Sequence, residues 1–470
     1  MNFKTIFKSF KNKDMRKRLL AVVGILVAYR ILAHIPVPLG DTTTFKQAVD
    51  KLINGTDLGG FINLISGGGL TNLSIILVGL SPYITASIVM QLLTKAIPRM
   101  EELSNDGETG RRKINQWTRI LSIPLAVLQS IAYIFILFQT VIAQSSTGTV
   151  TMTPHDWFIA ITAMTAGSAL LMWLGELISE QGIGNGTSTI ILCSIIAAFP
   201  STFASMLAQL FDTSNGSLSL FGWFNLPVNP TMFFIMLGLG LALIIVIYFL
   251  VKINEAQRII TINYAKRVRG NSAYGGIKSI MPIKLIAAGV VPVIFAVAFL
   301  SVPAFIGQLI QRADSSSVLG QNLVSWFSAP SASNFDQSVG LQGKDFIYPI
   351  CYFVLVFIFT YFYTSIVFNS KEIAENLQKQ GGFIEGVRPG KTTEKYFSRT
   401  VNRLNLFGAL ALGLIAMLPY IADYIFIQTL GYPLGISISG TGLLIVVTVA
   451  LENIRQVNSR ALMVTYDDYQ

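Results

Sequence analysis

Two histidines and two cysteines in 470 residues leave acid–base, thiol and metal chemistry few places to start. His34 and His155 lie far apart in sequence, so no His-Glu-x-x-His metal helix exists, which removes one class of intramembrane protease. A membrane serine protease would need a general base beside its nucleophile, and no such pairing stands out. Cys193 and Cys351 both fall in apolar runs, where a cysteine packs as a small apolar side chain and a disulfide framework is not expected. The segment Gly386-Val387-Arg388-Pro389-Gly390-Lys391-Thr392 ends like a phosphate-binding loop. The motif's first glycine, however, would fall at Glu385, and an apolar run stands where a strand is required. Gly182-Ile183-Gly184-Asn185-Gly186 is G-x-G-x-G rather than a dinucleotide fingerprint, and it joins two apolar runs. The chain is therefore expected to perform no catalysis and to hold no metal or cofactor.

Charge is the other functional currency. Ion- or proton-coupled carriers place ionisable groups at the bilayer midplane, where burial is costly. Here the charges nearest the apolar runs are Arg30, Glu176 and Glu452, all near run ends, and Arg30 is placed to snorkel outward. The interior is neutral, which disfavours a coupled carrier and leaves a facilitator of neutral solutes as the alternative.

The elements that must carry these residues follow from composition. The chain is 52% hydrophobic and 12% charged, with a mean hydropathy of +0.59. Apolar runs begin near Leu19, Leu73, Ile120, Phe158, Ser188, Met232, Leu285, Phe346, Leu404 and Ile436. Each reaches the ~20 helical residues that cross a bilayer core, and continuous Leu/Ile/Val/Phe runs point to helices rather than barrel strands. Basic residues segregate between them. Seven lie in the N-terminal tail, six in Lys95–Arg119, seven in Lys252–Lys284, seven in Lys371–Arg403 and two after the last run, out of 34 in all. Because Lys and Arg are retained on the cytoplasmic side, both termini are expected there. Most of the net charge of +10 follows from that rule and does not call for nucleic acid. The first run is longer than a signal-peptide core, and no small-residue cleavage pattern follows Ile35-Pro36-Val37-Pro38.

The loops differ by side. Gln144–Thr153, Thr213–Ser219 and Ser315–Gln342 are polar and poor in charge. Residues 95–119 mix acids with Arg111-Arg112-Lys113 and read as a structured turn. Lys371–Lys379 reads as a short helix broken by Gly381-Gly382, with a second turn at Pro389-Gly390. Leu58–Asn72 is apolar, glycine-interrupted at Gly67-Gly68-Gly69 and too short to cross. It is either a re-entrant element folded into the protein's own cavity or an interfacial loop, and the residues alone leave both open.

A neutral interior beneath large basic loops suits a pore for unfolded polypeptide. Such a pore must offer no charge selectivity and can seal by dewetting at a ring of branched aliphatics. A series of motifs resembles the SecY/Sec61 family of protein-conducting channels. They are Gly79-Leu80-Ser81-Pro82-Tyr83-Ile84 with Ala86-Ser87, Gly107-Glu108-x-Gly110-Arg111-Arg112-Lys113, Trp173-Leu174-Gly175-Glu176 with Gly182–Gly186, and Gln257-Arg258 with Tyr264-Ala265-Lys266-Arg267. Gly289-Val290-Val291-Pro292, Glu375-Asn376-Leu377 and Gln380–Ile384 through Gly386–Gly390 follow in order. The resemblance covers the chain from the basic tail to the tenth run. It departs at Thr187, where the family usually carries an aliphatic residue, and at Glu385-Gly386-Val387, where proline and isoleucine are common.

The resemblance implies an all-α polytopic membrane protein of ten transmembrane helices in two five-helix halves with a re-entrant plug. A basic tail (1–18) would precede an N-terminal half (19–210, plug about 58–72) and a C-terminal half (230–452, cytosolic loops about 252–284 and 370–403). A C-terminal tail (453–470) would follow. The implied pore ring is Leu80, Ile84, Ile191, Ile195, Val291, Ile294 and Ile445. The implied plug includes Gly60, Phe61, Ile62, Leu64, Ile65, Gly67, Gly68 and Gly69. Thr85 and Gln129 are small polar candidates at a lateral gate between the second and seventh spans. Arg258, Lys266, Arg267, Arg269 and Arg388 are docking candidates for a motor or ribosome. Implied partners are small SecE-like and SecG-like membrane subunits, the SecA ATPase, ribosomes, signal peptides, unfolded preproteins and membrane lipid, in the bacterial plasma (inner) membrane.

Overall fold

The computed structural model describes residues 13–38, 66–144, 153–211, 218–220, 224–226, 230–264, 267–269, 272–274, 278–289, 291–313, 317–327, 346–430 and 436–467. Helix α1 (Lys13–Leu32) is followed by α2 (Ser81–Ala96), α3 (Pro98–Asn105), α4 (Gly107–Gln144), α5 (Pro154–Gln181) and α6 (Gly186–Leu210). A hairpin of β1 (Leu218–Leu220) and β2 (Phe224–Leu226) precedes α7 (Pro230–Glu255). Strands β3 (Gln257–Tyr264), β4 (Arg267–Arg269), β5 (Ser272–Tyr274) and β6 (Lys278–Lys284) come next. The chain continues through α8 (Val291–Ala313), α9 (Val318–Phe327), α10 (Ile347–Val367), α11 (Ser370–Lys379), β7 (Gly382–Phe383), α12 (Lys391–Leu430) and α13 (Ile436–Asp467).

Among the described residues, Gly107–Phe138, Pro154–Gln181, Phe233–Glu255, Ile347–Lys379 and Lys391–Ala422 are long and apolar enough to cross a membrane. Gly186–Pro200 and Val291–Ala304 are shorter apolar helices. Helix α7 leaves Phe234, Leu237, Leu241, Ile244, Tyr248 and Phe249 exposed. So continuous an apolar face suits lipid, not water. The architecture is a mostly helical, polytopic membrane fold.

Two apolar runs start their helices later than the sequence suggests. The run from Leu73 becomes helical only at Ser81, and the run from Leu285 only at Val291. Both follow the pattern Gly-x-x-Pro. Gly79 and Gly289 adopt left-handed φ values of 62° and 63°, which a glycine tolerates without steric penalty. Pro82 and Pro292 then sit in the first helical turn, where a missing N–H costs nothing. What remains of the second run, α2, has 16 residues and a length of about 24 Å.

The chain divides into two compact units. The first takes residues 1–238, 328–340 and 430–470, so α13 belongs with α1–α6. Its core gathers Val37, Leu70, Leu73, Leu77 and Val78 from non-helical backbone against Ile134 and Leu137 of α4 and Ala160 and Met164 of α5. The second unit takes residues 239–327 and 341–429. There β3 pairs antiparallel with β6 from Gln257↔Lys284 to Asn263↔Lys278 and with β7 at Asn263↔Phe383 and Tyr264↔Gly382. Segments 252–284 and 370–403, separate in sequence, thereby contribute strands to one three-stranded sheet. Alternate β3 residues Ile260 and Ile262 join Ile283, Leu377, Ile384, Phe397 and Val401 in a core of its own.

Phe397 is wholly buried in that core. Truncation of Phe397→Ala should cost about 3–5 kcal/mol and loosen the platform alone. Limited proteolysis should then cut within 255–285 and 370–400 faster while the helical spans stay protected.

Candidate functional site

Residues 66–79 form the irregular approach to α2. Gly67 and Gly68 take φ values of 66° and 86°, and Leu73 is held at 48°. The backbone finds partners locally: Val37 N–H donates to Leu73 O at 2.7 Å and Ile75 N–H to Ile35 O at 3.0 Å. This two-rung bridge joins Pro36 and Ser74 and uses the chain that follows α1. Ser66, Leu70, Leu73, Ser74, Ile76 and Leu77 are all buried. The described end of the glycine-rich segment is therefore packed against the protein's own helices. Gly60, Phe61, Ile62, Leu64 and Ile65 lie outside the described residues.

Side chains from three helices anchor this stretch. Tyr29 of α1, 1% exposed, donates its hydroxyl to Ser66 O at 3.2 Å, and Ser194 Oγ of α6 lies 2.6 Å from the same Tyr29 oxygen. Arg30 donates to Gly67 O at 2.7 Å, so it is bonded to the segment and does not snorkel freely. From the other side, Ser168 of α5 donates to Gly79 O at 2.9 Å. A side chain at Gly167 would collide with the carbonyl of Ile75, so its absence lets the two backbones touch. Neither Tyr29, Ser168 nor Ser194 stands out in sequence. Each is one hydroxyl in an apolar run, and only the fold brings Tyr29 and Ser168 to distant carbonyls and Ser194 to Tyr29.

The α5–α6 turn shows what its glycines do. Gly182 and Gly184 are left-handed, at φ 69° and 98°. Their missing side chains leave room for the Arg460 guanidinium and the Asn453 amide of α13. Asn453 also donates to Thr189 Oγ1 at 3.2 Å. Gly186 N–H donates to Ser179 Oγ at 2.8 Å, and that hydroxyl donates to Gly175 O at 3.0 Å. Thr187 bonds the Asn185 cap through its hydroxyl at 2.7 Å and turns its methyl toward Gly175. A threonine thus supplies the apolar contact expected of an aliphatic residue there. Nearby, Arg119 of α4 is ion-paired with Glu176 of α5.

Of the seven aliphatic candidates, Leu80, Ile191, Ile195 and Ile445 are buried in the first unit, with Ile84 half-buried. Ile191 and Ile195 lie on α6 and Ile445 on α13, which packs against α6. Ile294 is buried in the second unit and Val291 half-buried. Thr85 spends its hydroxyl on Ser81 O, one turn back in α2, at 3.0 Å. Gln129 keeps a buried side-chain oxygen without a hydrogen-bond partner among the described residues.

Of the basic candidates, Arg258 and Arg388 lie on or beside the three-stranded sheet. Arg258 is exposed on β3, opposite Ile283 in the register. Arg267 and Arg269 end the strand β4, and Lys266 lies outside the described residues. Arg388 is exposed, but its backbone is fixed. Val387 packs on the platform core, Thr393 Oγ1 donates to Arg388 O at 2.9 Å, and left-handed Gly390 (φ 97°) leads into α12.

The family model of SecY matches residues 74–454. The chain belongs to the SecY family. Two relatives, each named protein translocase subunit SecY, extend the match to the whole chain. The one from Streptomyces galbus is 37% identical over 467 residues and the alignment covers 98% of both chains. The one from Thermus thermophilus is 36% identical over 471 residues, covering 99% of this chain and 97% of that one. Among solved structures, a protein conducting channel superposes with a TM-score of 0.60 at 21% identity, covering 94% of this chain and 91% of that one. Sec61 from the canine ribosome-channel complex of the endoplasmic reticulum gives 0.57 at 19% identity with the same coverage. The SecY fold is thus shared at low identity, and its motif glycines have the physical roles described above.

A side chain at Gly184 would be strained by the left-handed backbone and would strike Asn453. Gly184→Ala should lower the thermal unfolding temperature in detergent. Part of the loss should be recovered in Gly184→Ala/Asn453→Ala, because the two residues share one contact.

Proposed function

We propose that this chain forms the channel of a protein translocase. It would pass unfolded secretory polypeptides across the plasma membrane and release hydrophobic segments sideways into the bilayer. The observation that carries this reading is end-to-end identity with relatives named as translocase subunits. Within it we place ten spans with both termini cytoplasmic, the segment about 58–72 as plug, and Leu80, Ile84, Ile191, Ile195, Val291, Ile294 and Ile445 as the sealing ring. The ring is supported by the two Gly-x-x-Pro helix starts. Ile84 and Ile294 each stand five residues after the left-handed glycine, and branched aliphatics at a constriction exclude water without selecting among side chains.

Gln129, with its unpaired buried oxygen, fits a polar position at a lateral gate better than Thr85, whose hydroxyl is already bonded within α2. Arg258, Lys266, Arg267, Arg269 and Arg388 form the docking surface for an external motor and for ribosomes. Arg388 is the sharpest of these because its turn is anchored while its guanidinium stays exposed, a form suited to carboxylate or phosphate. SecE-like and SecG-like subunits complete the complex, and SecA supplies the energy that this chain has no site to generate.

Vesicles carrying the chain with its small subunits and SecA should import an unfolded preprotein when ATP is added. Absence of import by a folded, oriented preparation that exchanges small neutral solutes would replace this reading with that of a facilitator. In the same vesicles Arg388→Glu should abolish SecA-driven import while assembly persists, and undiminished import would remove Arg388 from coupling. Ile84→Asn should raise resting ion leak and admit preproteins with defective signals. A tight, stringent Ile84→Asn channel would show that Ile84 is not part of the seal.

A further inference from the structure

Resting on the channel reading above, we infer that Ser168 and Tyr29 are positioning residues for the seal: two buried hydroxyls that seat the turn bearing Leu80 and thereby set how readily the pore opens. The turn between Ser66 and Leu80 contains little regular structure, and side chains of α1 and α5 add to its own hydrogen bonds. It is tied at both of its ends. Ser168 Oγ, on α5, reaches Gly79 O at 2.9 Å, one residue before Leu80. Tyr29 Oη, on α1, reaches Ser66 O at 3.2 Å and Ser194 Oγ at 2.6 Å, one residue before Ile195. Tyr29, Ser66, Ser168 and Ser194 are 1%, 2%, 5% and 0% exposed. These groups are buried, so bulk water does not compensate directly for a donor that is removed.

The consequence is directional. The carbonyls of Gly79 and Ser66 meet these hydroxyls only while the turn is seated between α5 and α1. A displaced turn exchanges them for other partners. Loss of a hydroxyl therefore weakens the seated arrangement and leaves the displaced one unchanged, which shifts the population toward displacement. Gly167 adds the steric half of the device, because only a residue without a side chain lets the Ile75 carbonyl lie against α5. Neither hydroxyl belongs to the ring itself, and neither side chain is exposed to a passing polypeptide.

Ser168→Ala and Tyr29→Phe remove one oxygen each with little change in shape. The full chain, reconstituted with its small subunits, should show a resting potassium leak raised about tenfold by either change, the shift in open fraction that one buried hydrogen bond controls. Both variants should also import a preprotein with a defective signal sequence that the unchanged channel rejects. Ser168→Thr, which keeps the donor, should restore low leak. If both variants unfold at lower temperature yet keep the original leak and stringency, the hydroxyls are only structural and the inference fails. Ile84→Asn run alongside separates the two levels. A leaky Ile84→Asn with tight Ser168→Ala and Tyr29→Phe overturns this inference alone, whereas three tight channels overturn the ring reading and this inference with it. Should Ser168→Ala not fold, Tyr29→Phe decides the matter by the same readings.

Discussion

Every backbone N–H and C=O in a lipid environment must find its partner within the protein. Most of this chain meets that demand with helices. The stretch from Ser66 to Gly79 cannot, because three left-handed glycines and the left-handed Leu73 forbid a continuous helix there. Its polar groups are instead met by Ile35 and Val37 through the Pro36–Ser74 bridge, and by Tyr29, Arg30 and Ser168. Much of the first unit is arranged around that need. Helices α1 and α5 approach the segment closely enough for single hydroxyls to reach it, and Ser194 of α6 bonds one of them. Gly167 is small because a backbone must lie against it.

The second unit solves a different problem. There a single core draws its apolar residues from both 252–284 and 370–403. Pairing β7 with β3 pools them, so that Ile260, Ile262 and Ile283 meet Leu377, Ile384 and Phe397. The same core anchors Val387, and through it the turn that presents Arg388. A charged side chain can then remain in solvent while its backbone is held by buried neighbours. Among the basic candidates, Arg258 is exposed on a strand and rests on its ladder. Arg388 differs because its backbone is fixed by Thr393 and Val387.

Much of this was legible beforehand because membrane proteins write their constraints in composition. Long apolar runs mark the spans, glycine and proline mark the breaks, and the short helix at 370–379 with its glycine stop was readable as such. The relation of the chain to the SecY family was carried by motifs whose glycines prove to be contact sites: Gly182 and Gly184 admit α13, and Gly186 admits the Gly175 carbonyl. The late starts of α2 and α8 were also written, in the two Gly-x-x-Pro patterns. Hydropathy alone misplaces them, because it counts Leu73–Val78 as span although their backbone is not helical. The alternation of Ile260 and Ile262 was a strand signal, but the partner strands lay in loops whose pairing no local pattern records.

The sequence by itself determined that this chain lives in a membrane, where its helices break and which family it belongs to. These depend on residue type and short-range spacing, which are local quantities. Only the tertiary structure decided which polar atoms meet. Ser168 donating to Gly79, Tyr29 bridging Ser66 and Ser194, Asn453 entering the space at Gly184 and β7 completing a sheet with β3 all join residues tens to hundreds of positions apart. A hydroxyl in an apolar helix looks the same in sequence whether it bonds its own turn, as Thr85 does, or a distant carbonyl, as Ser168 does. Hydrogen bonding acts over about 3 Å, and only folding brings such partners that close.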